Sequence, residues 1–298
     1  MSGSRVLKKK SRAAAVIGIA LAACPAQAQP DLFGGASLSG IYSSSSGRIL
    51  DEEIDASALV ARGYVGARLG QQKATRIQFG TNYHLYVGDG PRNRWSNVAE
   101  IEQRFTVSKT ASVAFEGSGA TNVSTLEARS ADQVSARARL TVALNKQDRF
   151  TLTAAARRRA YDGSSAEAWA PMIEGDYRRR LGRYQYIDLE SRFERVDSND
   201  DLLDYRRLSL AGYYTHPLGR ATRLRAGIAH RRWSWDERLT SDARPLRDQL
   251  WVPQARLTHA LSSDLDLELD YRRPLRRSND DLFDREGHRL AATIRTNF

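Results

Sequence analysis

The sequence lacks several features that mark common classes of protein. Its only cysteine is Cys24, so a disulfide within the chain is excluded. Beyond residue 28 there is no apolar run of about 18 residues, the length a membrane-spanning helix needs. No paired His/Cys spacing, P-loop or nucleotide fingerprint occurs either, and we therefore predict no metal and no cofactor.

Lysine is also scarce. After residue 28 only Lys73, Lys109 and Lys146 remain, and the other positive charges are arginines spread through every segment. Part of the formal net charge of +11 lies at the extreme N-terminus. Nucleic-acid-binding tails are usually clustered and often lysine-rich, so no nucleic-acid partner is predicted.

The segments that follow residue 30 alternate between apolar and polar residues. Residues 75–85 show the pattern, with Ile77, Phe79 and Leu85 on one face and Arg76 and His84 on the other. Such segments recur at a length of about 10–14 residues, enough to cross an outer membrane at a tilt. Six short turns and seven longer polar loops separate them, and two of those loops are expected at residues 117–131 and 235–247.

One face of these segments carries too many charges for a soluble core, because each buried charge needs a partner. A water-filled lumen removes that difficulty. The alternative is a soluble sheet, whose apolar face would need a second layer, and no helical period supplies one. We therefore predict an all-β fold, a single antiparallel transmembrane β-barrel of about fourteen strands with both termini periplasmic.

The N-terminus reads as a targeting segment. A basic start, an apolar stretch over residues 13–23 and the sequence Ala26-Gln27-Ala28 predict a secretory signal peptide over residues 1–28. Residues 29–298 then form the barrel. The sequence before Cys24 also fits a lipoprotein-type cleavage site, which would acylate Cys24. Cleavage after Ala28 is preferred, because a barrel needs no lipid anchor.

The alternation predicts which charged side chains face the lumen. The predicted lumen-lining set is Arg76, His84, Glu100, Glu102, Arg104, Arg137, Arg139, Glu174, Asp176, Arg178, Asp188, Glu190, Arg192, Arg223, Arg225, Arg256, Asp266, Glu268, Asp270, Arg289 and Arg295. Arginines outnumber carboxylates in this set. It is interpreted either as a wall of cross-strand ion pairs that stiffens the barrel, or as a pathway that attracts anions or acidic polymers.

The aromatic residues lie mainly towards the ends of the predicted strands, where membrane-interface girdles occur. The expected girdle consists of Trp95, Trp169, Tyr177, Tyr184, Tyr186, Tyr213, Tyr214, Trp233, Trp235 and Trp251.

A catalytic site is not predicted. Among the five histidines only His84 is expected to face the lumen near the outer mouth, and a hydrogen-bonded wall residue is the simpler interpretation. The chain is therefore predicted not to be an enzyme.

One motif is repeated. Residues 198–204, Ser-Asn-Asp-Asp-Leu-Leu-Asp, recur as Ser-Asn-Asp-Asp-Leu-Phe-Asp at residues 278–284. Hairpin duplication explains the repeat, and an outside acidic loop that binds divalent ions or a partner is the functional alternative. An EF-hand is rejected, because Leu202 and Leu208 stand where that loop requires Gly and Glu.

The last residues, from His288 to Phe298, form an amphipathic strand that ends on an aromatic. This ending resembles the closing strand of Gram-negative outer-membrane β-barrels, in which a C-terminal Phe forms part of the signal read by the barrel assembly machinery. Outer-membrane localisation, contact with outer-membrane lipids and a role for Phe298 as an assembly signal are what the resemblance implies.

The stretch from Leu269 through the Ser278 loop to Phe298 also resembles the barrel domain of the surface lipoprotein assembly modifiers. That resemblance implies help in moving an exported surface protein or lipoprotein to the cell surface, without a catalytic residue. The helical repeat domain usual at the N-terminus of that family is not expected here, because the first predicted strand begins within a few residues of the predicted cleavage site. A porin-like channel for anionic solutes or exopolysaccharide is the main alternative, and an outer-membrane hydrolase is a further one.

Overall fold

The computed structural model describes residues 30–44, 48–50, 53–70, 74–87, 92–126 and 130–298. The predicted signal peptide, with Cys24, lies outside the described residues. Within the described part of the chain, no helix has the length and apolar character needed to cross a membrane.

Fourteen long strands form a closed barrel, and we number them in chain order. They are β1 Asp31–Ser43, β2 Ala58–Leu69, β3 Thr75–Tyr86, β4 Arg94–Thr106, β5 Ala111–Ser124, β6 Ser130–Ala143, β7 Asp148–Tyr161, β8 Glu167–Arg180, β9 Tyr186–Ser198, β10 Tyr205–Pro217, β11 Thr222–Leu239, β12 Pro245–Ala260, β13 Leu265–Arg272 and β14 Arg289–Asn297. Each pairs antiparallel with its neighbours in sequence, and β14 pairs with β1 to complete the ring. The predicted all-β, fourteen-stranded antiparallel barrel is confirmed.

The remaining regular structure is short. Arg48–Leu50 pairs with Glu53–Asp55 as a separate hairpin. After a break at Pro274, Leu275–Ser278 continues the path of β13 along β12 and pairs with Arg285–Glu286. Two 3-10 turns, Asp201–Leu203 and Asp281–Phe283, lie in the loops before β10 and β14.

Asp31, at the start of β1, and Phe298 lie at the same end of the barrel as the short turns. We call this the short-turn end, and the opposite end is the long-loop end. The N–H of Phe298 donates to the carbonyl of Gly34 at 3.0 Å, and the N–H of Gly34 donates back at 2.9 Å. These two bonds extend the β1–β14 seam to the last residue, so the terminal Phe is part of the closing ladder.

The exterior of the barrel is apolar around its circumference. One exposed apolar side chain from almost every strand marks this band, namely Leu38, Val65, Phe79, Phe115, Leu140, Leu152, Ile173, Leu189, Leu210, Ile228, Leu269 and Ile294. Side chains alternate between the two faces of a strand, so the intervening residues face inward. An apolar outside and a polar inside are what a membrane-spanning barrel requires.

Two of the predicted loops are shorter than expected. The loop predicted at 117–131 is mostly strand, because β5 continues to Ser124 and β6 begins at Ser130. The loop predicted at 235–247 shrinks to residues 240–244, since β11 and β12 are the longest strands. Both segments were predicted to be loops because they are rich in polar residues. In the structure these strand ends carry polar residues on their outer face.

Candidate functional site: the charged inner wall

The strand register places every predicted lumen-lining side chain on the inner face of the barrel. Arg76 lies opposite Glu102 and Arg178 opposite Asp188, for example, while the apolar partners of these strands point outward. The inward charged residues are not isolated. Most of them form three groups of ion pairs that differ in position and burial.

The largest group climbs the wall from β4 to β10, and we call it the charge ladder. Arg139 joins Glu102 and Glu116, with its Nη1 3.0 Å from Glu102 Oε2 and its Nη2 3.1 Å from Glu116 Oε2. Glu102 and Glu116 are direct cross-strand partners. Two carboxylates that face each other repel, and a guanidinium between them removes that repulsion.

The ladder continues through Arg137, which lies 3.8 Å from both Glu116 and Glu174. Arg192 then lies 3.6 Å from Glu174 and 3.1 Å from Glu194. Acid and arginine thus alternate along the wall. Because one register row crosses tilted strands, it rises along the barrel axis, and the ladder leads from the short-turn end towards the long-loop end.

Burial is complete at Glu194, at the far end of the ladder. Its side chain is 0% exposed and is held by Arg157, by Arg192 and by Arg207, whose Nη2 is 2.6 Å away. Arg157 and Arg207 are 5% and 1% exposed. Three cations share this one carboxylate in a low-dielectric setting, where charges interact more strongly than in water.

The second group lies nearer the short-turn end, on β8, β9 and β11. Arg178 Nε is 2.5 Å from Asp188, and Arg225 lies 3.6 Å from Asp188 and 3.0 Å from Glu190. The Arg225 guanidinium also stands 4.0 Å from the ring centroid of Tyr213. That ring covers Gly227, where even a Cβ would collide with it, so glycine is required there.

The third group lies on β12, β13 and β14. Arg256 Nε is 3.0 Å from Asp270 and 3.3 Å from Glu268. Arg272 is 2.7 Å from Asp270, and Arg295 is 3.9 Å from Glu268. Arg295 remains about half exposed, so it faces solvent inside the barrel while it holds its partner.

The remaining predicted wall residues lie outside these groups, except Arg104, which joins the start of the charge ladder. The inner face also carries Arg76, which contacts Gln78, and His84, which stacks on Tyr86 with ring centroids 5.9 Å apart. Glu100, Asp176, Arg223, Asp266 and Arg289 face inward as well, and Arg104 pairs with Glu102 at 3.0 Å. His84 therefore lines the wall beside an aromatic ring.

Sequence reasoning missed Glu116 and Asp248. Glu116 was assigned to no face, although Val113 and Phe115 alternate with it and give its direction. Asp248 is 0% exposed and binds Arg276 at 3.0 Å, and it accepts a hydrogen bond from Trp235 Nε1 at 3.3 Å. The loop predicted at 235–247 ends just before it, and no direction was predicted for Asp248.

At the long-loop end of β6–β12 the pattern of apolar outer and charged inner side chains is reversed. In its first half β11 directs Leu224 outward and Arg225 inward, whereas in its second half it directs Arg232 outward and Trp233 inward. The inner face there is an apolar core formed by Leu126, Ala131, Tyr161, Ala166, Ala168, Ala170, Val196, Leu203, Tyr205, Ala229, Trp233, Trp235, Leu246, Leu250 and Val252. This core closes over the buried end of the charge ladder and narrows the lumen.

The aromatic girdle prediction is therefore partly wrong. Trp233 and Trp235 are 1% and 2% exposed and belong to the inner core, and Tyr213 and Tyr186 also face inward. Trp233 and Trp235 lie an even number of residues from Arg225 and Arg231 on the same strand, so alternation in the sequence already indicates that they face inward. The outward aromatics that do mark the edges of the apolar band include Trp95, Trp169 and Trp251.

The two copies of the repeated motif fold alike. In each copy an Asn side chain joins the preceding hairpin: Asn199 accepts from the N–H of Glu167 at 2.8 Å, and Asn279 accepts from the N–H of Arg247 at 2.8 Å. Asp204 and Asp284 accept from the N–H of Ser198 and Ser278 at 2.6 and 2.7 Å.

The repeat is therefore a structural clasp between neighbouring hairpins. Leu203 and Phe283, at equivalent positions, pack into or against the apolar core. Among the described residues, no group of three or more His, Cys, Asp or Glu side chains is arranged to hold a metal ion.

Two cavities open on the inner face. One of about 270 Å³ is lined by Glu174, Glu190, Arg192, Tyr213 and Arg231. The other, of about 390 Å³, lies at the short-turn end beside Arg104, Lys109, Arg139 and Arg149. Both combine partly exposed arginines with other polar groups, so these parts of the wall can attract anions.

The fold is that of outer-membrane proteins. It is similar to a form of OmpT from Vibrio cholerae that lacks loop L8 (TM-score 0.57, 8% identity, 91% of this chain and 99% of that one). It is also similar to the outer-membrane channel DcaP of Acinetobacter baumannii (TM-score 0.56, 8% identity, 91% and 97%). A third similar structure is the anion-selective porin from Comamonas acidovorans (TM-score 0.53, 10% identity, 91% and 99%).

No protein-family model matches the sequence, and no curated protein matches it significantly. The shared fold, together with the continuous apolar exterior, confirms the prediction of a Gram-negative outer-membrane β-barrel.

Proposed function

We propose that the barrel is a narrow channel for small anionic solutes. The observation that carries this proposal is the excess of arginine over carboxylate on the inner wall, with Arg104, Arg178 and Arg295 each roughly half exposed to the lumen. A charged pathway between low-dielectric walls concentrates ions of opposite sign and sets selectivity. The shared fold of an anion-selective porin is compatible with this role.

The apolar core at the long-loop end limits the width of the pathway. We expect a small single-channel conductance and exclusion of polymers, because the side chains of Trp233 and Trp235, 1% and 2% exposed, pack on the inner face at that end of the barrel. We place the long loops outside the cell and both termini in the periplasm, since outer-membrane barrels have short periplasmic turns.

Planar-bilayer recordings under a salt gradient test the proposal. The reversal potential of the wild type is expected to indicate anion preference, and Arg139→Gln together with Arg137→Gln should reduce it, because both side chains lie in the lumen. Arg277→Gln, on the outer face, is the matched control. Cation preference, or selectivity unchanged by the double substitution, contradicts an anion channel.

Export of a surface protein or lipoprotein is the second candidate. It is favoured by the resemblance of residues 269–298 to the surface lipoprotein assembly modifiers. The repeated Ser-Asn loop weakens it, because its contacts are those of a structural clasp. An electrically silent barrel, with a surface protein lost on gene deletion, would favour export.

We further propose that the barrel is not an enzyme and that Phe298 is read by the assembly machinery. Hydrolysis of lipid or peptide by the purified barrel, abolished by His84→Ala, would contradict the first statement. Unchanged membrane insertion of a Phe298→Ala variant would contradict the second. Residues 1–28 are proposed to be removed as a signal peptide, which N-terminal sequencing of the mature protein tests.

A further inference from the structure

An outward-facing arginine patch lies directly above the apolar band at the long-loop end. Arg195 on β9 and Arg206 on β10 are cross-strand partners, and the same register row continues through Ser234 to Arg247 on β12. One row nearer the apolar band, Leu208 is followed by Arg232, Gln249 and Arg277. All five arginines are exposed.

The carboxylates near this patch leave two of the arginines unmatched. Arg195 lies 2.8 Å from Asp197, Arg206 lies 3.9 Å from Asp236, and Arg277 lies 3.3 Å from Asp284. Among the described residues, Arg232 and Arg247 make no side-chain ion pair. Like charges on neighbouring strands repel, so an anion supplied from outside would stabilise the patch.

The position of Arg232 indicates where that anion comes from. Its row contains Phe193 and Leu208, which are 48% and 43% exposed. The row beneath contains His230 and Trp251, whose rings lie 4.1 Å apart. Arg232 therefore stands at the upper edge of the membrane-facing surface, beside an interfacial aromatic residue. An arginine at that depth extends its charged end towards lipid headgroups.

Arg247 stands on a fixed backbone. Its N–H donates to Asn279 Oδ1, and its carbonyl accepts from the N–H of Asn279 at 3.1 Å and from Ser278 Oγ at 3.4 Å. The clasp therefore holds Arg247 against the segment that carries Arg277. Guanidinium groups on neighbouring strands suit a phosphate, which accepts several charge-assisted hydrogen bonds.

We propose that this patch, Arg195, Arg206, Arg232, Arg247 and Arg277, binds the phosphate groups of anionic lipid headgroups in the leaflet at the long-loop end. The site is continuous with the lipid-facing band, so the occupant is a membrane lipid. This inference is independent of channel activity, because all five residues lie outside the lumen.

Native mass spectrometry of the folded barrel tests the proposal, with detergent micelles that contain either phosphatidic acid or phosphatidylcholine. The wild type is expected to retain phosphatidic acid in preference to phosphatidylcholine. An arginine near an anionic surface contributes about fivefold in affinity. The Arg232→Gln, Arg247→Gln double variant should therefore lose on the order of tenfold or more of the retained phosphatidic acid.

Arg244→Gln is the matched control, because Arg244 lies in a loop and pairs with Asp242 at 2.9 Å. The difference in gel mobility between unheated and heated samples establishes that each variant is folded. Equal retention of both lipids by the wild type, or the same loss in Arg244→Gln, overturns the proposal. So does retention that inorganic phosphate abolishes completely, since the occupant would then be a soluble anion.

Discussion

Glu194 holds together the most deeply buried charges of the barrel. Its carboxylate is closed to solvent and is surrounded by Arg157, Arg192 and Arg207. Replacement by Gln keeps the size of the side chain and removes the negative charge that the buried guanidinium groups of Arg157 and Arg207 share. Breaking a buried ion pair on one side costs about 3–5 kcal/mol, and we expect the free energy of unfolding of Glu194→Gln to fall by that amount.

Urea unfolding of the barrel in lipid vesicles, followed by tryptophan fluorescence, measures this loss. Trp233 is a suitable reporter because it is the cross-strand partner of Arg207 and is 1% exposed. The matched control is Glu167→Gln, whose carboxylate pairs with Arg158 on the exposed outer face. Exposed substitutions of this kind change stability by about 0.5 kcal/mol or less.

A double substitution separates lost charge from lost packing. If uncompensated cations cause the loss, Arg207→Met combined with Glu194→Leu should recover part of it, because an apolar core lies directly above and can accept both side chains. A Glu194→Gln variant as stable as the control would refute the assignment of Glu194 as the centre of a buried charge cluster. If the double variant loses more free energy of unfolding than its two single variants lose together, the electrostatic explanation is refuted.

Three further predictions concern the long-loop end. Trp233→Ala should lower the free energy of unfolding by about 3–5 kcal/mol and raise the single-channel conductance, because it removes the centre of the apolar core; unchanged conductance would contradict that placement. Asn199→Ala and Asn279→Ala should each weaken a clasp by about 0.5–1.5 kcal/mol per hydrogen bond, measured as faster proteolysis of that loop, and an effect in only one copy would contradict their equivalence. Burial raises the pKa of Asp204, although the N–H of Ser198 opposes the shift. The folded loop therefore binds the proton of Asp204 more tightly than the unfolded chain does. The stability that this protonation contributes is complete below the ordinary pKa of about 3.9 and should decline as the pH rises through the raised pKa of the folded state. Asp204→Asn should flatten this pH dependence in a series of unfolding curves.

The direction of most wall side chains followed from alternation. Arg76, Arg137 and Glu268 were assigned inward from the parity of their apolar neighbours, and the register places them there. Alternation determines direction because a strand has a period of two residues, whatever its partners are. It does not determine which charges meet. Arg137 reaches Glu174 two strands away, and nothing in the local sequence indicates that contact.

The main error of the sequence prediction concerned β11 and β12, whose inner face changes from charged to apolar along each strand. Trp233 and Trp235 were assigned to a girdle and residues 235–247 to a loop, because polar outward residues in these strand ends hid the apolar inner face. A period of two tells which residues share a face, but it does not tell whether that face meets lipid, water or a core.

By itself the sequence determined the all-β fold class, the closed antiparallel order and the number of strands. It also determined the inward or outward direction of most side chains, because all of these depend on local alternation and turn length. Only the tertiary structure decided the course of the charge ladder, the burial of Glu194 and the apolar core above it. These features depend on the tilt of the strands and on the height at which each strand leaves the membrane, and both are set by the ring as a whole.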